Sequence, residues 1–155
     1  MITVRRARPA DAGAIGAVHV AAWRSAYPGI LPDAYLAGLS APRQAAYYDS
    51  AVRSGVGVHV AAASGTDLGA LGGAARIVGF VTGSPARPGR WTEPLGDGEI
   101  ETLYVLDDWR ERGLGRRLMR AAAEATIQVA GAPVVQTAYV WSPIEKLVQA
   151  SSLAP

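Results

Sequence analysis

The segment 99–130 constrains the fold of this chain more than any other part of the sequence. A strand, Glu99–Leu106, alternates at first and then becomes wholly apolar, and a charged loop, Asp107–Arg112, follows it directly. A helix is predicted from about Gly113 to Ala130 because apolar residues recur on one face at helical spacing, namely Leu114, Leu118, Ala122, Ala125 and Val129. A strand that leads through so short a loop into an amphipathic helix predicts a sheet with this helix packed on one face.

The loop between this strand and helix has the composition of an anion-binding site. The first turn of a helix carries unpaired N–H groups and the positive end of the helix dipole. Gly113 and Gly115 let an anion approach the main chain without meeting a Cβ atom. Arg110, Arg112 and Arg116 can add charge-assisted hydrogen bonds to phosphate oxygens. The loop therefore predicts a phosphate or pyrophosphate ligand.

Three other interpretations of the loop have to be weighed. It is not a P-loop, because no Gly-Lys-Ser/Thr follows the glycines. The dinucleotide-binding fingerprint does not fit either, since Leu118 stands where its third glycine belongs. An ordinary glycine-rich helix start with solvated arginines is the alternative that needs no ligand.

The remaining sequence predicts one α/β domain, residues 1–155, with a mixed sheet and helices on its faces. Hydrophobic periodicity and turn residues predict further strands at Ile2–Arg6, Val56–Ala63, Ala74–Thr82 and Val134–Trp141. They predict further helices at Ala10–Tyr27, Asp33–Leu39 and Pro42–Arg53, the last with Ser40 as its N-cap. The stretch Gly83–Gly98, rich in glycine and proline, is predicted to be a long loop.

Composition excludes several classes of function. The chain has no cysteine, which excludes disulfides, a thiol nucleophile and a Cys-ligated metal. It has no apolar run near the ~20 residues of a membrane span and no apolar signal region, so we expect a cytosolic protein without a membrane partner. The net charge is only +2, so no nucleic-acid partner is expected. His19 and His59 lack a third metal-ligand motif, and we expect each to be a structural or surface histidine and no metal to bind.

With these residues in place, the segment resembles motif A of the GNAT (Gcn5-related N-acetyltransferase) family. That motif reads Gln/Arg-x-x-Gly-x-Gly/Ala between a strand and a helix, and Arg110, Gly113 and Gly115 match it. The segments 6–11 and 18–32 also resemble the opening, first helix and following turn of many members, so the similarity covers roughly residues 2–141. It implies a GNAT-like central mixed sheet flanked by helices, and acetyl-CoA as cosubstrate.

The resemblance also implies which residues bind the cofactor. In the family, acetyl-CoA lies where two parallel strands splay apart, which here are Glu99–Leu106 and Val134–Trp141. The pantetheine pairs with the first strand beside a bulge, and Leu103, Tyr104 and Val105 are the expected contacts. The phosphates are expected on the loop residues Arg110, Glu111, Arg112, Gly113, Leu114, Gly115 and Arg116. An N–H near Val105 is expected to stabilise the oxyanion that develops on the thioester.

The implied reaction is the transfer of an acetyl group from acetyl-CoA to an amine of a small molecule or peptide. Members of the family often use a glutamate on this strand as general base, which predicts Glu99, with Glu101 on the same face. The alternative for both is a solvated or arginine-paired surface carboxylate. Trp23, Tyr27 and Tyr35 either line the acceptor pocket or pack in the core.

The C-terminal part departs from the family pattern. The family tyrosine that often protonates the departing thiolate has Gln149 or Ala150 in its place, and Tyr139, on the last strand, is the nearest substitute. The last strands are expected to be missing, which predicts an open sheet edge and a homodimer that covers it. The alternative function is an acyl-CoA-binding module with little or no transferase activity.

Overall fold

The computed structural model describes residues 1–64, 75–85 and 98–130. These form four strands, β1 (Ile2–Arg6), β2 (Gly57–Ala63), β3 (Arg76–Pro85) and β4 (Gly98–Val105), and four helices, α1 (Ala12–Ala26), α2 (Asp33–Ala37), α3 (Ala41–Arg53) and α4 (Leu114–Ala130). Every element predicted within these ranges is present, with its ends shifted by a few residues. The predicted strand Val134–Trp141 lies outside the described residues, as does Tyr139.

The four strands form one antiparallel sheet in the order β1-β2-β3-β4. The largest difference from expectation is the end of β3, which was predicted to stop at Thr82. It continues to Pro85 because it pairs with β4 as far as the partners Pro85 and Gly98. The residues Gly83, Ser84 and Pro85 have low strand propensity, so this extension depends on pairing with the neighbouring strand β4.

The two faces of the sheet carry different helices. On one face α1 and α3 cover a core that includes Ile15, Tyr48 and Phe80. Both helices approach closely at Gly16, where a Cβ would lie 2.6 Å from the carbonyl oxygen of Ala41. On the other face α4 packs its apolar stripe against small and β-branched residues, and this core consists of Ala61, Ala63, Val78, Val81, Trp109, Leu114, Leu118 and Ala122. Within the described ranges, no helix has the length and apolar character that crossing a membrane requires.

Candidate active site

The loop between β4 and α4 has an unusual backbone conformation just before the helix begins. Two of its residues, Glu111 (φ 61°) and Gly113 (φ 72°), adopt the left-handed backbone conformation. This conformation is strained for a residue other than glycine, and backbone strain of this kind is concentrated at functional sites. The amide of Arg117 donates a hydrogen bond of 3.1 Å to the carbonyl of Gly113. The amides of residues 114–116 come before Arg117 in the first turn of α4, where a helix leaves its amides without helical partners.

The space in front of this helix end is open. A Cβ added at Gly113 or Gly115 would meet no described atom within 4 Å. At Gly79, by contrast, a Cβ would lie 2.8 Å from the carbonyl oxygen of Tyr104, so that glycine is needed for packing. Packing does not require a glycine at Gly115, and at Gly113 only the backbone conformation does. The residues present therefore fit a group that approaches the main chain, as a phosphate would.

The arginines of the loop are held by the loop itself. Arg110 forms an ion pair of 2.8 Å with Asp107, and Arg112 lies over the ring of Trp109 at 4.8 Å from its centroid. The Arg112 guanidinium also donates to the carbonyl of Asp108 at 3.0 Å. Both arginines, like Arg116, are exposed. They lie beside the helix end, and an anion there would compete with Asp107 for Arg110.

The strand β4 is an edge of the sheet formed by the described residues. The amide of Leu106 donates to the carbonyl of Val78 on the β3 side, at 2.9 Å. Main-chain groups alternate in direction along an antiparallel strand, so those of Tyr104 point to β3 while those of Leu103 and Val105 point to the edge. The carbonyl of Val105 indeed accepts a hydrogen bond of 3.4 Å from the Arg110 side chain. Of the three expected pantetheine contacts, Leu103 and Val105 have main-chain groups at the open edge.

The two candidate bases lie next to an irregularity of β4. Thr82 pairs with Thr102 and Gly83 with Ile100, so Glu101 is an additional residue, a β-bulge. Glu99 is opposite Ser84, and the Ser84 hydroxyl donates to Glu101 at 3.5 Å. Both glutamates are exposed and lie near the same serine. The structure thus brings Glu99 and Glu101 together at the end of β4 remote from the phosphate loop.

A group of buried polar side chains under α1 and α3 was not predicted. His19 Nδ1 and the Tyr48 hydroxyl share a hydrogen bond of 2.8 Å, and the hydroxyls of Thr82 and Thr102 share one of 2.6 Å. Burial lowers the pKa of His19 and raises the pKa of Tyr48, because both charged forms lose hydration. The Tyr48 hydroxyl also interacts with the side chain of Thr102. Of these four residues the sequence singles out only His19, which it predicts to be a structural or surface histidine.

The second histidine lies on the opposite face of the sheet. His59 follows Val58 and precedes Val60, both of which face α1 and α3, so alternation directs its ring towards α4. It is buried, and its Nδ1 has no hydrogen-bond partner in the described part of the chain. Burial and the positive charge of Arg6 lower its pKa. No cluster of three metal-ligating side chains exists among the residues that the structure describes.

An aromatic cavity lies at the turn between α1 and α2. The centroid of the Trp23 ring is 4.9 Å from that of Tyr27 and 6.3 Å from that of Tyr35. The Trp23 indole also donates a hydrogen bond of 2.8 Å to the hydroxyl of Tyr104 on β4. The three residues named as possible acceptor-pocket lining therefore lie together, one side chain away from the strand expected to bind the cofactor.

Comparison with known proteins identifies the family. The sequence matches the acetyltransferase (GNAT) family over residues 23–143. An uncharacterized N-acetyltransferase, YuaI, of Bacillus subtilis (strain 168) is 34% identical over 129 residues, which cover 83% of this chain and 66% of that protein. This chain thus spans slightly less than two thirds of the length of that relative.

Solved structures show the same fold. PaiA N-acetyltransferase from Thermoplasma acidophilum, in complex with coenzyme A, has a TM-score of 0.58 at 15% identity, covering 84% of this chain and 74% of that one. A GCN5-related N-acetyltransferase from Ralstonia eutropha JMP134 has a TM-score of 0.57 at 20% identity, covering 100% and 93%. A GNAT family acetyltransferase from Brucella melitensis, in complex with acetyl-CoA, has a TM-score of 0.51 at 22% identity, covering 85% and 71%.

The fold and the loop after β4 define a GNAT domain. The chain belongs to the acetyltransferase (GNAT) family. The family resemblance inferred from Arg110, Gly113 and Gly115 is confirmed, and so is the mixed α/β fold.

Proposed function

We propose that this protein is an N-acetyltransferase that transfers the acetyl group of acetyl-CoA to a primary amine of a small molecule or peptide. The observation that carries the proposal is the open N-terminal end of α4, where Gly113 and Gly115 leave room against the main chain. Coenzyme A and acetyl-CoA are bound in two of the family structures that share the fold, which supports the same ligand here.

In this proposal the pyrophosphate binds the amides at the start of α4. Arg110, Arg112 and Arg116 lie within the same loop and first turn and contribute positive charge. The pantetheine extends along the open edge of β4, paired with main-chain groups of Leu103 and Val105. The thioester carbonyl then lies beside β4, where a main-chain N–H stabilises the charge that develops on its oxygen.

The chemical step needs a base because an alkylamine with a pKa of about 10.4 is protonated at neutral pH. We assign this role to Glu99, with Glu101 as the neighbouring alternative. The carboxylate takes the proton directly or through water, and the amine nitrogen attacks the thioester carbonyl carbon. The C–S bond of the tetrahedral intermediate then breaks and coenzyme A leaves as a thiolate, a tolerable leaving group because a thiol has a pKa of about 8.5. The extra proton that remains on the nitrogen passes to this thiolate or to water, which leaves the neutral amide.

An acyl-CoA-binding module without transferase activity is the second candidate. It is favoured by the exposure of Glu99 and Glu101, because exposed carboxylates are common on protein surfaces without a catalytic role. The two candidates share the cofactor site and differ only in the chemistry at the end of β4.

The first test is the binding of coenzyme A. Acetyl-CoA and coenzyme A should raise the melting temperature by mass action, and NAD should not. At a ligand concentration 100 times Kd, binding should add roughly 2.7 kcal/mol to the free energy of unfolding. Gly113→Asp should abolish this shift because it adds a side chain and a negative charge at the proposed phosphate site.

Gly55→Asp is the matched control, because Gly55 also has a positive φ (86°) and no described atom near its Cβ position. It should lose stability but keep the shift with coenzyme A. If no coenzyme A compound shifts the wild type at millimolar concentration, the proposed function is wrong. The cytosolic location and the homodimer stay predictions.

A further inference from the structure

The turn between α1 and α2 forms an exposed apolar cup with a volume of about 370 Å³. Six residues line it, and none carries a charge: Trp23, Tyr27, Ile30, Leu31, Pro32 and Tyr35. Ile30 and Tyr35 are each 53% exposed, and they are two of the five large hydrophobic residues exposed in the described ranges. Concave apolar surface that stays open to solvent indicates a binding site.

Hydrogen bonds hold the walls of the cup together in the absence of a ligand. The guanidinium of Arg24 donates to the carbonyls of Leu36, Ala37 and Leu39, at 3.0 to 3.1 Å, and so fixes α2 to the end of α1. The amides of Ile30 and Leu31 both bond to the carbonyl of Tyr27 at 3.0 Å, which closes the turn. When a ligand binds to a preformed cavity, no conformational entropy is lost in ordering the walls, and binding is correspondingly stronger.

The walls of the cup select an aromatic group. The Trp23 ring is tilted by 54° to Tyr27 and by 43° to Tyr35, so a ligand ring can meet faces and edges together. The Trp23 N–H is already bonded to Tyr104, so the indole offers the cup its ring surface. A cavity of roughly 150 Å³ holds benzene in a protein interior, so this open cup has room for a ring and its linker.

The position of the cup connects it to the proposed reaction. Tyr104, which accepts the Trp23 hydrogen bond, lies on β4 between Leu103 and Val105. Resting on the proposed function, we propose that the cup binds the side group of the acceptor, and that the acceptors are primary amines with an aromatic ring a few bonds from the nitrogen. The reacting amine itself lies outside the cup, towards β4.

The test compares primary alkylamines that differ only in the group beyond the amine: 2-phenylethylamine, 2-cyclohexylethylamine, butylamine and 1,4-diaminobutane. With acetyl-CoA, kcat/KM should be about 10- to 100-fold higher for 2-phenylethylamine than for butylamine, because a ring is removed from water. The cyclohexyl compound should fall between them and 1,4-diaminobutane should be the poorest. Equal turnover of butylamine and 2-phenylethylamine would overturn the inference while leaving an acetyltransferase in place.

Tyr35→Ala should lower kcat/KM for 2-phenylethylamine about tenfold and kcat/KM for butylamine by a much smaller factor. Tyr47→Ala is its control, because Tyr47 is similarly exposed (59%) but lies on α3, where its ring contacts Tyr48. An equal loss in both variants overturns the assignment of Tyr35. Choline is added as a competitor, and strong inhibition by it would show that the cup binds cations through the ring faces instead.

Equilibrium binding of 2-phenylethylamine, measured by calorimetry with coenzyme A present, separates this inference from the proposed function. If 2-phenylethylamine binds, Tyr35→Ala weakens this binding and no acetyl transfer occurs, the aromatic site is supported and the transferase function is contradicted. Absence of 2-phenylethylamine binding in a protein that binds coenzyme A removes the aromatic site.

Discussion

The two faces of the sheet are built from different chemistry although they share the same four strands. Towards α4 the strands present alanines and valines, which pack against Leu114 and Leu118. Towards α1 and α3 they present Phe80, Thr102 and Tyr104, which contact the side chains of His19, Tyr48 and Trp23 on the helices. The α4 face is therefore mainly an aliphatic packing surface, which also contains Trp109 and the buried His59, while the other face contains a buried polar and aromatic network.

This difference fits a division of roles between the faces. Aliphatic packing holds α4 rigidly, so that its N-terminal end stays at the end of β4, where the proposed pyrophosphate site lies. The aromatic face continues into the cup around Trp23, where the proposed acceptor binds. The strand β4 is an edge of the described sheet, bonds to the cup through Tyr104 and leads into the loop before α4, and the two substrates are proposed to meet at its open edge.

The largest effect is expected from the proposed base on β4. Glu99→Gln should lower turnover by about 10²–10⁴-fold and leave acetyl-CoA affinity nearly unchanged, because the amide accepts no proton. The measurement is a pH–rate profile with an acceptor identified by release of coenzyme A.

Glu101→Gln is the neighbouring control, since both carboxylates lie near Ser84. A smaller loss in Glu101→Gln assigns the base to Glu99. Full activity in Glu99→Gln with a large loss in Glu101→Gln would move the base to the bulge. Activity retained in both variants would remove the carboxylates from the mechanism.

The order of elements and the loop after β4 could be predicted because their signals are local. Helical periodicity places Leu114, Leu118 and Ala122 on one face, and the structure buries all three. The spacing of Gly113 and Gly115 is likewise a property of a few consecutive residues. Ser40 was predicted as the N-cap of α3, and its side chain accepts from the amide of Arg43.

The polar network could not be predicted because it depends on packing between distant elements. The hydrogen bond between His19 and Tyr48 joins residues 29 apart, and that between Thr82 and Thr102 depends on the strand register. The same register decides that the main chain of Tyr104 turns towards β3, although the sequence grouped this residue with Leu103 and Val105. A single sequence contains no signal for either kind of pairing.

A smaller effect is expected on the pH dependence of stability, from the two buried histidines, one on each face of the sheet. Burial lowers the pKa of both His19 and His59, so the folded state keeps them neutral where the unfolded chain, with a pKa of about 6.5, takes up protons. Their contribution to stability is therefore complete above about pH 6.5 and is lost as the pH falls from there through the folded-state pKa. Each histidine contributes at most about 1.4 kcal/mol per pH unit to this slope.

Urea unfolding between pH 7.5 and 5 measures this slope, above the range in which ordinary carboxylates titrate. His19→Gln and His59→Leu should each reduce it, and the double variant should nearly remove it. His59→Leu should also lose less stability at pH 7.5, because Nδ1 of His59 has no partner in the described part of the chain whereas His19 bonds to Tyr48. A slope unchanged in both single variants would show that other groups control the acid sensitivity.

The smallest effect concerns the first turns of α1 and α4, one on each face. Gly13 and Gly115 are both the second residue of their helix, and a Cβ at either would meet no described atom within 4 Å. Alanine is the better helix former, so Gly13→Ala and Gly115→Ala should each stabilise the protein by about 0.5–1 kcal/mol. Gly113→Ala should instead destabilise it, because its φ of 72° disfavours any side chain.

The two substitutions should differ in their effect on the affinity for coenzyme A. Gly13→Ala should leave it unchanged, because α1 is not part of the proposed phosphate site. Gly115→Ala should weaken it, by less than about tenfold because the GNAT loop pattern accepts alanine at this position. Thermal unfolding with and without coenzyme A measures both quantities in the same samples. If Gly115→Ala lowers stability while Gly13→Ala raises it, packing explains the glycine at 115, and the open space before α4 no longer supports a ligand there.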